Sequence, residues 1–329
     1  EVLLEAISAW GIERTLARVN GMFAFALWDR FNNQLTLARD RFGKKPLYYG
    51  WVDGAFVFGS ELKALRAHPG FLNEIDRDSL TLYLRHNCIP APYSIYRNIH
   101  KFPAGSYCTL RLRTIQESRC YEDIFDHIER YWSAERVCSV GLANPLEDSS
   151  EAIADQLDSL LRDAVAGRMI ADVPLGAFLS GGIDSSLVVA LMQAQSDRPV
   201  QTFTVGFEEI THNEADDARR VAGHLGTEHH ELYLSPQDVL DVVPSLPDIY
   251  DEPFADSSQI PTSLISKFAR QHVTVALSGD GGDELFGGYN RYHWAPKIWS
   301  KMVHWPLFLR SGAATFLGGV SPRTWPKVM

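Results

Sequence analysis

Two short stretches of this chain carry residue types that handle phosphate. Leu179-Ser180-Gly181-Gly182-Ile183-Asp184-Ser185-Ser186 follows an apolar run, Val173 to Leu179, that reads as a buried strand. An apolar, helix-like segment comes next. Strand, glycine-rich turn and helix present bare backbone N–H groups to an anion. The glycines let the backbone approach closely, the serine hydroxyls add donors, and Asp184 supplies a carboxylate able to hold Mg²⁺ against phosphates. The second stretch, Leu277 to Gly288, also follows an apolar strand. It sets Asp280, Asp283 and Glu284 among five glycines. Loops leaving the carboxyl ends of neighbouring parallel strands converge on one crevice, so both Ser-Gly loops are expected to face one nucleotide.

The chain has no Walker-type G-x-x-x-x-G-K-[ST] and no G-x-G-x-x-G after a strand. Without the lysine that reaches terminal phosphates, the first loop suits a pyrophosphate that is about to leave. Thr204-Val205-Gly206-Phe207 ends a further strand and offers an adenine-contacting edge beside the two loops. Asp251 to Ser258 adds polar groups before a helix, where a site role and an N-capping role stay open. His229 and His230 lack a partner at ligand spacing and are expected to be structural.

The elements that must position these groups change character along the chain. Up to about residue 110, alternating apolar residues mark strands at 22–28, 34–38, 46–49 and 55–58, with short helices at 61–68 and 78–86. This predicts an antiparallel sheet region. A proline-rich connector follows (88–105), then a hairpin near 107–120 and a polar loop at 139–150. From Glu151 onward helices and strands alternate. Helices are expected at 151–169, 185–195, 213–225 and 261–271, and strands at 173–179, 201–207, 228–234 and 273–278. That order implies a parallel, doubly wound α/β sheet.

Composition sets the broad class. At 329 residues the chain is long enough for two domains. A net charge of −10 argues against general nucleic-acid binding. The four cysteines are widely spaced, form no CxxC pair and read as reduced thiols, which suits the cytoplasm. The apolar stretch 302–320 is interrupted by His304, Pro306 and Arg310, so no membrane span is expected.

Residues 179–186, 202–207 and 278–289 together resemble the synthetase domain of the glutamine-hydrolysing (type B) asparagine synthetases. Residues 21–29, 38–49 and 60–63 resemble the later half of a class II glutamine amidotransferase domain. The resemblance implies two α/β domains. Residues 1–120 would be part of an Ntn-type amidotransferase sheet domain with its connector. Residues 121–329 would be a doubly wound, parallel-sheet PP-loop ATP pyrophosphatase domain, incomplete.

By position, the resemblance implies that Leu179, Val205, Ser278 and Gly279 contact ATP. Ser180, Gly181, Gly182, Asp184 and Ser185 would hold pyrophosphate and Mg²⁺. Asp280 and Asp283 would be the catalytic carboxylates, Asp283 near the substrate aspartate. Implied partners are aspartate, ATP and glutamine or ammonia, with a possible homodimer. Asp280 stands where the best-known members carry glutamate, one methylene longer. The alternatives are therefore amidation of another carboxylate such as a sugar acid, a β-lactam-type ring closure, and an idle nucleotide-binding paralogue. The family's nucleophilic cysteine and glutamine-binding residues would precede Glu1, and its C-terminal helical part would follow Met329. The sequence is thus expected to be a fragment that does not hydrolyse glutamine by itself.

Overall fold

The structure, a computed structural model, describes residues 1–118, 120, 122–207 and 213–319. Contacts divide the chain into two compact units. Unit 1 comprises Glu1–Asp155 and Pro236–Leu264. Unit 2 comprises Gln156–Ser235 and the described residues from Ile265 onward.

Unit 1 is built on two antiparallel sheets. One has the order β1-β2-β6-β7, with β1 Ala24–Asp29, β2 Gln34–Arg39, β6 Ser106–Arg111 and β7 Ile128–Arg130. The other has the order β4-β3-β5, with β3 Tyr48–Val52, β4 Ala55–Gly59 and β5 Ile99–Lys101. The two-residue period of a strand puts Leu35 and Leu37 on one face of β2, opposite Leu110 and Cys108 of β6. These four join Tyr49 and Trp51 of β3 in one buried cluster with Leu47, Phe102 and Ile124, which seals the sheets against each other. Asp40, buried at the turn after β2, accepts the N–H groups of Phe42, Lys44 and Lys45 and so shapes the loop into β3.

Unit 2 holds a four-stranded, wholly parallel sheet, order β10-β9-β8-β11. Its strands are β8 Leu175–Phe178, β9 Gln201–Phe207, β10 Glu228–Leu234 and β11 Val275–Leu277. Helices Ser150–Met169, Ile183–Gln193 and Glu214–Leu225 contribute Val165, Val189, Leu191, Met192, Ala218 and Ala222 to a cluster with Ala177 and Leu179. Helix Gln259–Ala269 brings Ile265, Phe268 and Ala269 against Phe203 and Phe178 in a second cluster. Alternate residues of β8 thus serve opposite faces, as a sheet buried on both sides requires.

Two expectations are corrected. The stretch 107–120 is not a hairpin: β6 pairs with β2 and β7, and Leu112–Glu117 is a helix. Leu112 and Ile115 stand three apart, which is helical spacing, Ile115 packs on the core, and Arg113 pairs with Glu117 at 2.7 Å. The polar loop expected at 139–150 is helical through Ala143, because helix Ala134–Ala143 is set by Ser133, whose hydroxyl accepts from Arg136 N–H. His229 and His230 are engaged within the fold. His229 Nδ1 lies 2.9 Å from Thr202 Oγ1, and His230 stacks on Phe203 with ring centroids 5.2 Å apart.

Candidate nucleotide site

Strand order places the site. From β8 the chain crosses to β9 and then to β10 on one side. It returns to lay β11 on the other side of β8. The carboxyl ends of β8 and β11 therefore flank the point where the winding reverses, which is where open α/β sheets bind ligands. The residues leaving those two ends are Leu179–Gly182 and Ser278–Gly282.

The first loop is held by its own serines. Leu179 N–H donates to Phe203 O at 2.9 Å and prolongs the β8–β9 ladder. The Leu179 side chain lies in the core, so only its backbone is open to a ligand. Ser185 Oγ accepts from Ser180 N–H at 3.2 Å and lies 2.9 Å from Ser180 Oγ. Ser180 Oγ in turn accepts from Gly182 N–H at 3.3 Å. Gly181 has φ +80°, and a Cβ there would lie 2.7 Å from Asp217 Cβ, so only glycine fits. Gly182 is the N-cap of helix Ile183–Gln193 and supplies no side-chain cap. The first intrahelical bond runs from Ser186 N–H to Gly182 O. The N–H groups of Ile183, Asp184 and Ser185 are thus left without an intrahelical acceptor, at the positive end of the helix dipole.

The second loop closes onto the first. A Cβ on Gly279 would lie 2.7 Å from Ser185 N, so the absence of a side chain is what lets the loops touch. The Asp184 carboxylate fills the space that a side chain at Gly282 would need. Among the described residues the Asp184 carboxylate has no hydrogen-bond or ion-pair partner, and that of Asp283, packed against Gly288, has none either. Ser278 Oγ donates to Asp280 Oδ2 at 3.0 Å. Glu284 is otherwise engaged: Tyr289 OH donates to it at 2.8 Å, and that bond holds its carboxyl below the ordinary value. Val205 is half-buried in β9 opposite Leu232, with no hydrogen bond to either loop.

Among the described residues no group of three or more His, Cys, Asp or Glu side chains is placed to hold a metal. One unpartnered carboxylate beside a phosphate loop nevertheless suits Mg²⁺, which takes one or two protein carboxylates and completes its shell with phosphate oxygens and water. A cleft of about 750 Å³ also borders the loop, lined by Gly181, Ser186, Asp217, Arg220, His224 and Leu225 among others. It contains none of Asp184, Ser278, Gly279 or Asp280, so it is distinct from the place where the two loops touch. Ser186, absent from the expected site residues, lines this cleft with a buried hydroxyl that makes no hydrogen bond.

Asp251 and Glu252 lie elsewhere, within unit 1. Asp251 pairs with Lys63 at 3.3 Å, and Glu252 pairs with Lys101 at 2.6 Å. Asp256 accepts from Ser258 N–H at 2.9 Å at the turn before helix Gln259–Ala269, a capping role.

Two family models match the chain. The model of the asparagine synthase family matches residues 156–324, and that of a glutamine amidotransferase domain matches residues 1–122. A Methanocaldococcus jannaschii protein named as a glutamine-hydrolysing asparagine synthetase is 38% identical over 292 residues, covering 88% of this chain and 53% of its own length. Asparagine synthetase [glutamine-hydrolyzing] 1 of Bacillus subtilis is 36% identical over 281 residues, 85% of this chain and 41% of its own. The human asparagine synthetase is 30% identical over 320 residues, 90% of this chain and 50% of its own. The chain spans about half the length of the curated relatives it matches.

Proposed function

The chain belongs to the asparagine synthase family, and from that premise we propose that it carries the ATP-using site of a glutamine-dependent amidotransfer that converts aspartate to asparagine. One observation carries the proposal: at the reversal of strand order, two Ser-Gly loops touch through Gly279 and Ser185 and enclose the free carboxylate of Asp184. The bare N–H groups of Ile183–Ser185, with Ser180, Gly181, Gly182 and Ser185, cradle the β- and γ-phosphates of ATP. Leu179, Val205, Ser278 and Gly279 contact the nucleotide. Asp184 would hold Mg²⁺, which when bound neutralises charge on the departing pyrophosphate.

An oxygen of the aspartate side-chain carboxylate attacks the α-phosphorus. The bond from that phosphorus to the β-phosphate oxygen breaks, pyrophosphate leaves into the first loop, and β-aspartyl-AMP forms. Ammonia then attacks the acyl carbon, and AMP departs with the bonding pair. Asp280, oriented by Ser278, takes a proton from the incoming nitrogen, and Asp283 faces the ammonium group of the substrate. Residues 1–120, with their antiparallel sheets, serve as the Ntn-type amidotransferase part that supplies ammonia. Residues 121–329 serve as the PP-loop part. The proposal extends to a cytoplasmic homodimer.

Isotope transfer tests this reading. Aspartate labelled with ¹⁸O in its side-chain carboxylate, incubated with the full-length protein, ATP, Mg²⁺ and ammonium, should pass one labelled oxygen to AMP. Label in inorganic phosphate, or AMP formation only with a different acid, would refute the adenylate or the acid respectively.

A further inference from the structure

Residues 236–264 fall inside the asparagine synthase match, yet they pack in unit 1, which also contains the glutamine amidotransferase match. Two adjacent carboxylates make that attachment. The Asp251 side chain is only 7% exposed. Its carboxylate pairs with Lys63 Nζ and accepts Lys63 N–H at 3.3 Å, capping helix Leu62–Arg66, whose own N-cap residue Glu61 makes no side-chain cap. Asp251 holds φ +61°, a strained backbone that persists only where surrounding contacts over-determine it.

Glu252 is 10% exposed and surrounded by donors. Lys101 Nζ lies 2.6 Å from Oε2, Ile95 N–H donates to Oε1 at 2.8 Å, and Tyr48 OH donates at 3.4 Å. Tyr48 and Lys101 face each other across β3 and β5, so both report the register of that sheet. Lys101 is fixed further by donating to Ile89 O at 2.5 Å. Burial and the neighbouring Glu252 push the Tyr48 hydroxyl well above its ordinary value, which keeps it a donor. The chain then runs from this joint through helix Gln259–Ala269 into β11 and the Ser278–Gly282 loop.

We propose that Glu252 is a positioning residue that couples ammonia release from glutamine to its use at the nucleotide site. The inference rests on the amidotransfer proposed above. A buried ion pair is costly to desolvate and adds little net stability over an apolar contact, but removing one partner strands the other charge. It therefore transmits a shift of the β3–β5 sheet to residues 251–258 with little slack, and those residues lead to the second loop.

The test compares nitrogen sources in the full-length protein. Glu252→Gln keeps the size and the acceptor for Ile95 N–H while removing the charge. Glutamine-dependent synthesis should fall about tenfold while ammonium-dependent synthesis stays within about twofold of the parent. Lys101→Met should reproduce this split, and Lys101→Arg should largely restore coupling. A parallel loss of both activities, or no change in either, overturns the coupling role. Absence of ammonium-dependent product from the parent protein overturns the functional proposal itself, so the two failures are distinct.

Discussion

Asp184 sits one residue inside a helix, with its carboxylate lodged beside Gly282 and without a hydrogen-bond or ion-pair partner among the described residues. An isosteric Asp184→Asn change removes charge without breaking a protein contact. Thermal stability should therefore move by no more than about 0.5 kcal/mol. The pyrophosphate-forming rate should fall on the order of a hundredfold or more, because in the proposed reaction this carboxylate would present the cation to the phosphates. Steady-state pyrophosphate release and a melting curve on the same preparation separate these effects. Retained release would exclude Asp184 from the reaction. The residue types of both loops were legible in the sequence. The contact of Gly279 with Ser185 was not, because it depends on which strand β11 joins. Asp251 and Glu252 were legible only as polar groups before a helix. Their partners, Lys63 and Lys101, lie on elements far away in the chain.

At the scale of elements, legibility followed local signals. Strands β9 and β10 match their expected limits, with Pro199 before β9 and with Gly226 and Pro236 on either side of β10. Helix Glu214–Leu225, expected at 213–225, carries a local signal at each end. Asn213 Oδ1 accepts Ala215 N–H at 3.2 Å, and Gly226 adopts φ +71°. This helix supplies Asp217 and Ala218, which lie against Gly181, so its start sets the floor of the first Ser-Gly loop. Replacing Asn213 with Ala should cost about 1 kcal/mol, and with Gly only a few tenths. That ordering, measured by denaturant midpoints at unchanged slope, checks the cap. Equal losses would point instead to the weaker bond from Asn213 Nδ2 to Phe207 O at 3.4 Å. The Leu112–Glu117 helix was misread because Leu110-Arg111-Leu112-Arg113 alternates like a strand. The helical spacing of Leu112 and Ile115 prevails once Ile115 finds the core.

At the scale of the whole molecule, the alternation of helix and strand announced a parallel sheet, but not the order that puts β11 beside β8. Nor did it show that residues 236–264 would join unit 1. Each unit also buries a histidine whose titration links folding to pH. Burial is the leading cause that lowers the pKa of His100 in unit 1 and of His229 in unit 2 below the ordinary 6.5. The unfolded chain takes up a proton on each near pH 6.5, whereas the folded chain resists until a lower pH. Between that lower pH and about 6.5 the unfolded state binds more protons, so stability falls with falling pH there, and well above 6.5 these two groups contribute no slope. The melting temperature should therefore hold level from pH 8 to about 6.5 and decline between about 6.5 and 5, above the range where carboxylates titrate. His229→Gln should reduce the decline by removing one of the two protons taken up on unfolding. Thermal melts across that range decide the matter, and a level profile down to pH 5 would show that neither histidine resists protonation in the folded state.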